Sequence, residues 1–338
     1  AIIKVSTARG ADYDNYKAVG LILKCLTMEI ITDAYGDVPY TEAFKAGPLD
    51  GGILNPKYDT QESIYTDLLA KLEEANTLLD PAKPAVLGDN LYGKDNATMV
   101  AKGNIIYWKK FANSLRLRLL LRMADRNSAL VTAEMTKMLV TSPLLYPIFT
   151  SNADNAALVY LGSAPNNHPI NENRKTRDDH RISKTLIDIM YVNNMFVDWR
   201  IVAYANLSVA TSDYVGMPNG LPSDDANNYL GNGLDQTSKL GSFFIGTSAP
   251  GQLMSYAELQ FILAEAVQRS LITGSTVTAQ QYYTAGVTAS YAQFGPTIAA
   301  NVRTVFGTAN CQTWFGSTTP TIAQITAHYM AREGAWPA

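Results

Sequence analysis

The chain has 338 residues, 47% of them apolar and 17% charged, which is enough for a sizeable core in two average domains or one helical array. A net charge of −3 at pH 7 gives no reason to expect nucleic acid or an acidic membrane surface as a partner. Two cysteines exclude a disulfide framework and a Cys-only zinc site, and no apolar run approaches the roughly 20 residues of a membrane span.

Helical periodicity dominates the chain. From Tyr16 to Ala34, Val19, Ile22, Leu23, Leu26 and Ile30 give the three/four spacing of one buried face, and Cys25 falls inside it as a buried free thiol. The run ends in ITDAYGDVPYTEAF, where Gly36 stops the helix and Pro39 fixes the exit. Asp33 and Asp37 read there as capping and turn ligands, and Tyr35 and Tyr40 as residues that pack and hydrogen-bond the turn. Asp59 is a good N-cap for the next helix, with Glu62 as its capping-box acid. The stripe Ile64, Leu68, Leu72, Ala75 and Leu79 then runs to the stop at Asp80-Pro81.

A third helix, about 97–125, places Ile105, Trp108, Ala112, Leu115 and Leu119 on one side. It also carries Lys102, Lys109, Lys110, Arg116, Arg118, Arg122 and Arg126. In a chain of acidic balance these read as a solvated or salt-bridged face of a helical bundle. Further helices are expected at about 133–141, 182–191, 256–271, 279–294 and 322–332. A turn at Thr273-Gly274-Ser275 joins two of them as a hairpin. No strict 34-residue tetratricopeptide consensus is present, so the pattern is an irregular series of hairpins. Two irregular stretches interrupt it, about 142–181 and 206–251. The second holds Tyr214, Tyr229, Phe243 and Phe244, which argues that it packs or binds something.

The residues offer no catalytic constellation. His168, His180 and His328 lack metal-ligand spacing, and there is no phosphate loop, dinucleotide fingerprint or GxSxG elbow. Asp224-Asp225 with Asn227 and Asn228 is oxygen-rich but has the wrong order for a calcium loop. Glu258 and Glu265 share a helix face about 10 Å apart, where a structural role between helices fits better than a glycosidase pair. No metal and no cofactor is expected. The loop aromatics remain. A sugar ring packs its C–H face on Tyr or Trp while neighbouring polar groups bond its hydroxyls, and Tyr92, Tyr146, Tyr160, Tyr214, Tyr229 and Trp314 qualify. The plainer reading of any one of them is that it pins its loop to the scaffold.

Several segments in register resemble the SusD/RagB family of Bacteroidota outer-membrane nutrient-binding lipoproteins. DAYGDVPYTEAF is similar to the family's opening turn, PKYDTQESIYTDLLAKLEEANTLL to its next helix, and KGNIIYWKKFANSLRLRLLLRMA to the helix after that. RISKTLIDIM with VDWRIVAYA, DYVGMPNGL, LMSYAELQFILAEAVQRSLITG and YYTAGVTASYAQFG continue the match in order. Trp199 stands where the family commonly has proline, and the paired arginines expected after Trp336 are absent.

The resemblance implies a mainly α fold, tetratricopeptide-like hairpins with long, loop-rich insertions, in a single domain over 1–338. It further implies that the N-terminal lipidated segment and the extreme C-terminus are missing. The implied function is non-enzymatic. A lipid-anchored protein on the extracellular face of the outer membrane captures an oligosaccharide or peptide and delivers it, as a lid, to a SusC-like TonB-dependent barrel. The alternative is a SusD-like accessory subunit of another outer-membrane assembly, without nutrient binding.

Overall fold

A computed structural model describes residues 1–84, 86–93, 104–165, 167–174, 179–192, 195–196, 198–247, 249–332 and 334. The expectations at Lys102, Asn166, Val197 and Trp336, and for the start of the third helix, lie outside them. The longer helices are α1 (Ile2–Arg9), α2 (Asp14–Tyr35), α3 (Gln61–Leu78), α4 (Ile105–Met123) and α5 (Ser128–Thr136). They continue with α6 (Lys184–Met190), α7 (Tyr256–Gln268), α8 (Ala279–Gln293), α9 (Gly295–Phe315) and α10 (Ile322–Met330). The chain divides into two compact units, 1–156 with 254–282 and 157–253 with 283–338.

In the first unit α2 packs on α1 and α3, and α4 packs on α3, α5 and α7. Ile22, Cys25, Ile64, Leu68, Leu72, Phe111 and Leu115 are fully buried between them. The α3 stripe is as the spacing predicts. The α2 stripe is not, because Leu23 and Ile30 are 41% and 59% exposed. At 3.6 residues per turn both sit about 80–100° round the helix from Ile22. The buried line instead runs through Ala18, Ile22, Cys25, Glu29 and Thr32. Burial raises the Cys25 thiol to about 12, and its Sγ faces the Leu68 carbonyl at 3.6 Å.

The helix α4 is buried on nearly all sides, with Arg116 and Arg118 inside along with its apolar residues. Carboxylates from the helices around it therefore meet its cations. Arg116 pairs with Glu73 and with Glu134 at 2.7 Å, and Arg118 lies 3.4 Å from Glu29 and 2.8 Å from Glu258. Arg122 pairs with Glu29 and lies 3.2 Å from Asp33, while Lys110 lies 2.9 Å from Asp154. The basic face is thus salt-bridged at Lys110, Arg116, Arg118 and Arg122, and Glu258 has the structural role its position suggests. Glu265 differs, pairing with Arg269 of its own segment at 2.8 Å.

The opening turn staples α2 to α3. Gly36 takes φ 73°, which a side chain would disfavour, and its N–H still reaches the Thr32 carbonyl at 2.7 Å. Strands β1 (Val38–Pro39) and β2 (Tyr58–Asp59) pair antiparallel, Val38 opposite Asp59. Asp59 is not the N-cap of α3. Its carboxylate accepts the N–H groups of Tyr40 and Thr41 at 3.2 and 2.7 Å, and Thr60 caps the helix by accepting from Ser63 at 3.3 Å. The Asp37 carboxylate accepts the Gln61 N–H at 2.9 Å. Tyr40 is buried with its hydroxyl on Asp67, as a packing role requires, whereas Tyr35 is 79% exposed.

The second unit is built from shorter pieces. Strands β3 (Tyr191–Val192) and β4 (Met195–Phe196) follow α6 and pair antiparallel. A single helical turn, Ile201–Tyr204, packs on α9, and α9 packs on α10. The helix α9, which the apolar spacing alone does not announce, starts with Pro296 in its first turn, where a missing N–H costs nothing, and breaks at Gly307 (φ 78°, ψ 161°). Among the described residues, the stretch 206–251 holds short helical pieces such as Ser223–Asn228 and Gly233–Gln236.

Candidate ligand-binding surface

Three of the six loop aromatics lie inside their unit. Tyr92 is 2% exposed, T-shaped on Trp108 with ring centroids 5.5 Å apart, and donates its hydroxyl to the Asp154 carbonyl at 3.2 Å. Tyr146 is 5% exposed and donates to Glu73 at 2.7 Å, with Lys137 above its ring at 5.1 Å. Tyr214 is also 5% exposed and stands edge-on to Tyr191 at 5.6 Å. Burial raises both the Tyr92 and Tyr214 hydroxyls above their ordinary pKa. In this conformation these rings pin loops to the scaffold, and no ring face is open to a sugar.

The other three, all in the second unit, are half-buried. Tyr160 meets His168 edge-on at 5.0 Å, and its ring lies over Gly251, where an added Cβ would come within 3.2 Å of Cε2. Burial lowers the His168 pKa, which favours the neutral ring. Tyr229 opens the turn Tyr229–Gly231, whose middle residue, Leu230, holds φ 55° with its side chain mostly in solvent. A non-glycine residue in the left-handed region is strained by about 1 kcal/mol. Trp314 is not a loop residue: it lies in the last turn of α9, and it packs against Trp199 at 5.3 Å and Phe306 at 5.7 Å.

Trp199, in the place where the resemblance leads one to look for proline, is the centre of that packing. Phe315 stands edge-on to it at 5.0 Å and His328 at 5.8 Å. The flanking residues lock the backbone. The Arg200 guanidinium donates to Asp198 at 3.0 Å and to the Ser290 hydroxyl at 2.6 Å. Tyr291 donates to Asp198 at 2.9 Å and accepts the Trp199 N–H at 3.2 Å. Burial works against the Arg200 charge, yet Asp198 holds its pKa above the ordinary value.

The first unit also contains a polar recess of 660 Å³ that loop aromatics give no hint of. It lies between the start of α3 and the end of α4, with Glu62 and Arg126 on its walls and Asp33 and Arg122 beside Tyr65. Glu62 first reads as a capping acid and Arg126 as part of a basic face, so only the fold brings them together. Among the described residues no group of three or more His, Cys, Asp or Glu side chains could hold a metal ion. No helix among them is long and apolar enough to cross a membrane.

A SusD-like family model, described as starch-binding and associating with the outer membrane, matches residues 1–332, and the chain belongs to that family. Solved structures agree on the mainly helical fold. A SusD homolog from Bacteroides fragilis is 23% identical with a TM-score of 0.70, covering 95% of this chain and 64% of its own. A SusD homolog from Bacteroides uniformis is 27% identical with a TM-score of 0.68, covering 88% and 57%. A chitin-binding SusD homolog from Flavobacterium johnsoniae is 28% identical with a TM-score of 0.66, covering 83% and 53%. The chain thus spans 53 to 64% of the length of these three relatives. No curated protein matches it.

Proposed function

We propose that the chain is a cell-surface substrate-binding protein that captures oligosaccharides or peptides and delivers them to a SusC-like TonB-dependent barrel as its lid. The family match over residues 1–332 carries this reading, and the chitin-binding relative supports a glycan as the captured class. In this reading a lipid anchors the protein to the outer membrane, the two units act as one SusD-like module over 1–338, and no bond in the ligand is broken. The half-buried rings of Tyr160, Tyr229 and Trp314 are the proposed sugar contacts, because each residue remains partly exposed. Tyr92, Tyr146 and Tyr214 would reach a ligand only if their loops opened.

Calorimetry against malto- and chito-oligosaccharides and short peptides tests the capture reading. Saturable binding that weakens in Tyr229→Ala or Trp314→Ala, with co-purification of a TonB-dependent barrel, is the expected result. Absence of binding across the panels, with stable co-purification on a different outer-membrane protein, would replace it with an accessory role.

A further inference from the structure

The recess between α3 and α4 holds four charges, and the fold uses only two of them. Asp33 accepts the Tyr65 hydroxyl and lies 3.2 Å from Arg122, and Arg122 also pairs with the buried Glu29. These two charges already have partners. Glu62 and Arg126 differ, since among the described residues neither side chain makes a hydrogen bond or an ion pair. Nor does α3 need Glu62 for its cap, because Thr60 supplies it. The lining between α3 and α4 is mixed, with Gln61, Thr66 and Asn127 as polar groups and Met123 and Leu130 as apolar ones.

One carboxylate and one guanidinium without partners leave the recess neutral overall and favour a ligand that carries both signs. Its volume of 660 Å³ falls within the ~300–1,000 Å³ of small-ligand sites. We infer that this recess is a binding site for a zwitterion of the amino-acid or dipeptide type, with Glu62 receiving the ammonium and Arg126 the carboxylate. The guanidinium fork suits a carboxylate bidentately, and an ammonium is a compact charge that a single carboxylate can hold. An apolar side chain of the ligand rests on Met123 and Leu130. A neutral sugar could hydrogen-bond to either group but would neutralise neither charge. The site lies wholly in the first unit and shares no residue with the aromatics proposed for glycan capture in the second.

Titration calorimetry with alanyl-leucine, N-acetyl-alanyl-leucine and alanyl-leucine amide tests it. The free dipeptide is expected to bind saturably, and each blocked form about fivefold more weakly, the scale of one partly exposed ion pair. Glu62→Gln should abolish the difference made by the N-acetyl group, and Arg126→Gln the difference made by the amide. Oligosaccharide titrations of the same variants should be unchanged, which separates this site from the capture function. Equal affinities for free and blocked dipeptides, or no saturable heat from the free form, would overturn the inference with the unaltered protein alone.

Discussion

In the first unit, long helices bury regular stripes, and their cations and carboxylates are paired across the helix interfaces. The second unit has few elements long enough to make a stripe. It fills its interior with Trp199, Phe306, Trp314, Phe315 and Tyr291, and ties its backbone through Asp198 and Arg200. The difference follows from uninterrupted length, since even α9, which carries Phe306, Trp314 and Phe315, breaks at Gly307. A 22-residue helix such as α2 can turn many small aliphatic residues to one side, whereas a short turn such as Ile201–Tyr204 must be covered by a few large rings. Aromatic residues in such a unit are therefore structural by default, and under the proposed function ligand contact falls to the ones that stay partly exposed.

The contrast can be broken from either side. Trp199→Ala should cost about 4 kcal/mol in chemical denaturation, because the rings around it cannot close the cavity. Trp199→Phe should recover most of that. In the first unit, Glu29→Ala leaves Arg118 and Arg122 without their buried partner and should cost about 3 kcal/mol. A loss under about 1 kcal/mol would mean that Glu258 and Asp33 hold those cations alone. Tyr92→Phe keeps the ring and removes one hydrogen bond, an expected loss of about 1 kcal/mol. Tyr229→Ala should change stability by no more than about 0.5 kcal/mol while weakening glycan binding severalfold, so that one ring separates packing from recognition.

Acid offers a further test of the paired unit. Burial raises the Asp154 pKa, but the Thr150 N–H, Lys110 and the Thr150 hydroxyl outweigh it and leave the pKa below the ordinary carboxylate value. A carboxyl whose folded pKa is depressed stabilises the fold above the unfolded value, about 3.9, and loses that contribution as pH falls through the folded one. Acid denaturation of the wild type should steepen below about pH 4, and Asp154→Asn should be less stable at neutral pH with a flatter acid limb.

The helical class and the three principal helices of the first unit are legible in residues 16–79 and 105–123, because apolar spacing at about 3.6 residues is a strong local signal. Periodicity misplaces Leu23 and Ile30 because it reports a stripe but not how wide its partners make it. The N-cap moves from Asp59 to Thr60 because the turn at Tyr40 claims Asp59, a contact 19 residues distant in sequence. Pro296 is a start signal for α9 in the sequence, obscured by Gly295 before it. Their place in loops singles out Tyr92, Tyr146 and Tyr214, and what buries them, Trp108, Glu73 and Tyr191, comes from other elements. The recess at Glu62 and Arg126 is not legible at all, since its two walls are far apart in the chain and meet only when α3 and α4 pack.

Cys25 lies in the first unit and Cys311 in the second, each fully buried and free. Both thiols have pKa values raised by burial, so a maleimide or disulfide reagent finds neither of them in the intact protein. The chain thus carries one silent reporter per unit. Under mild denaturant, the order in which the two sulfurs become reactive would show which unit opens first, without adding a probe. A fluorophore could also be placed at Tyr35→Cys, on the solvent side of the opening turn, with the native cysteines left in place.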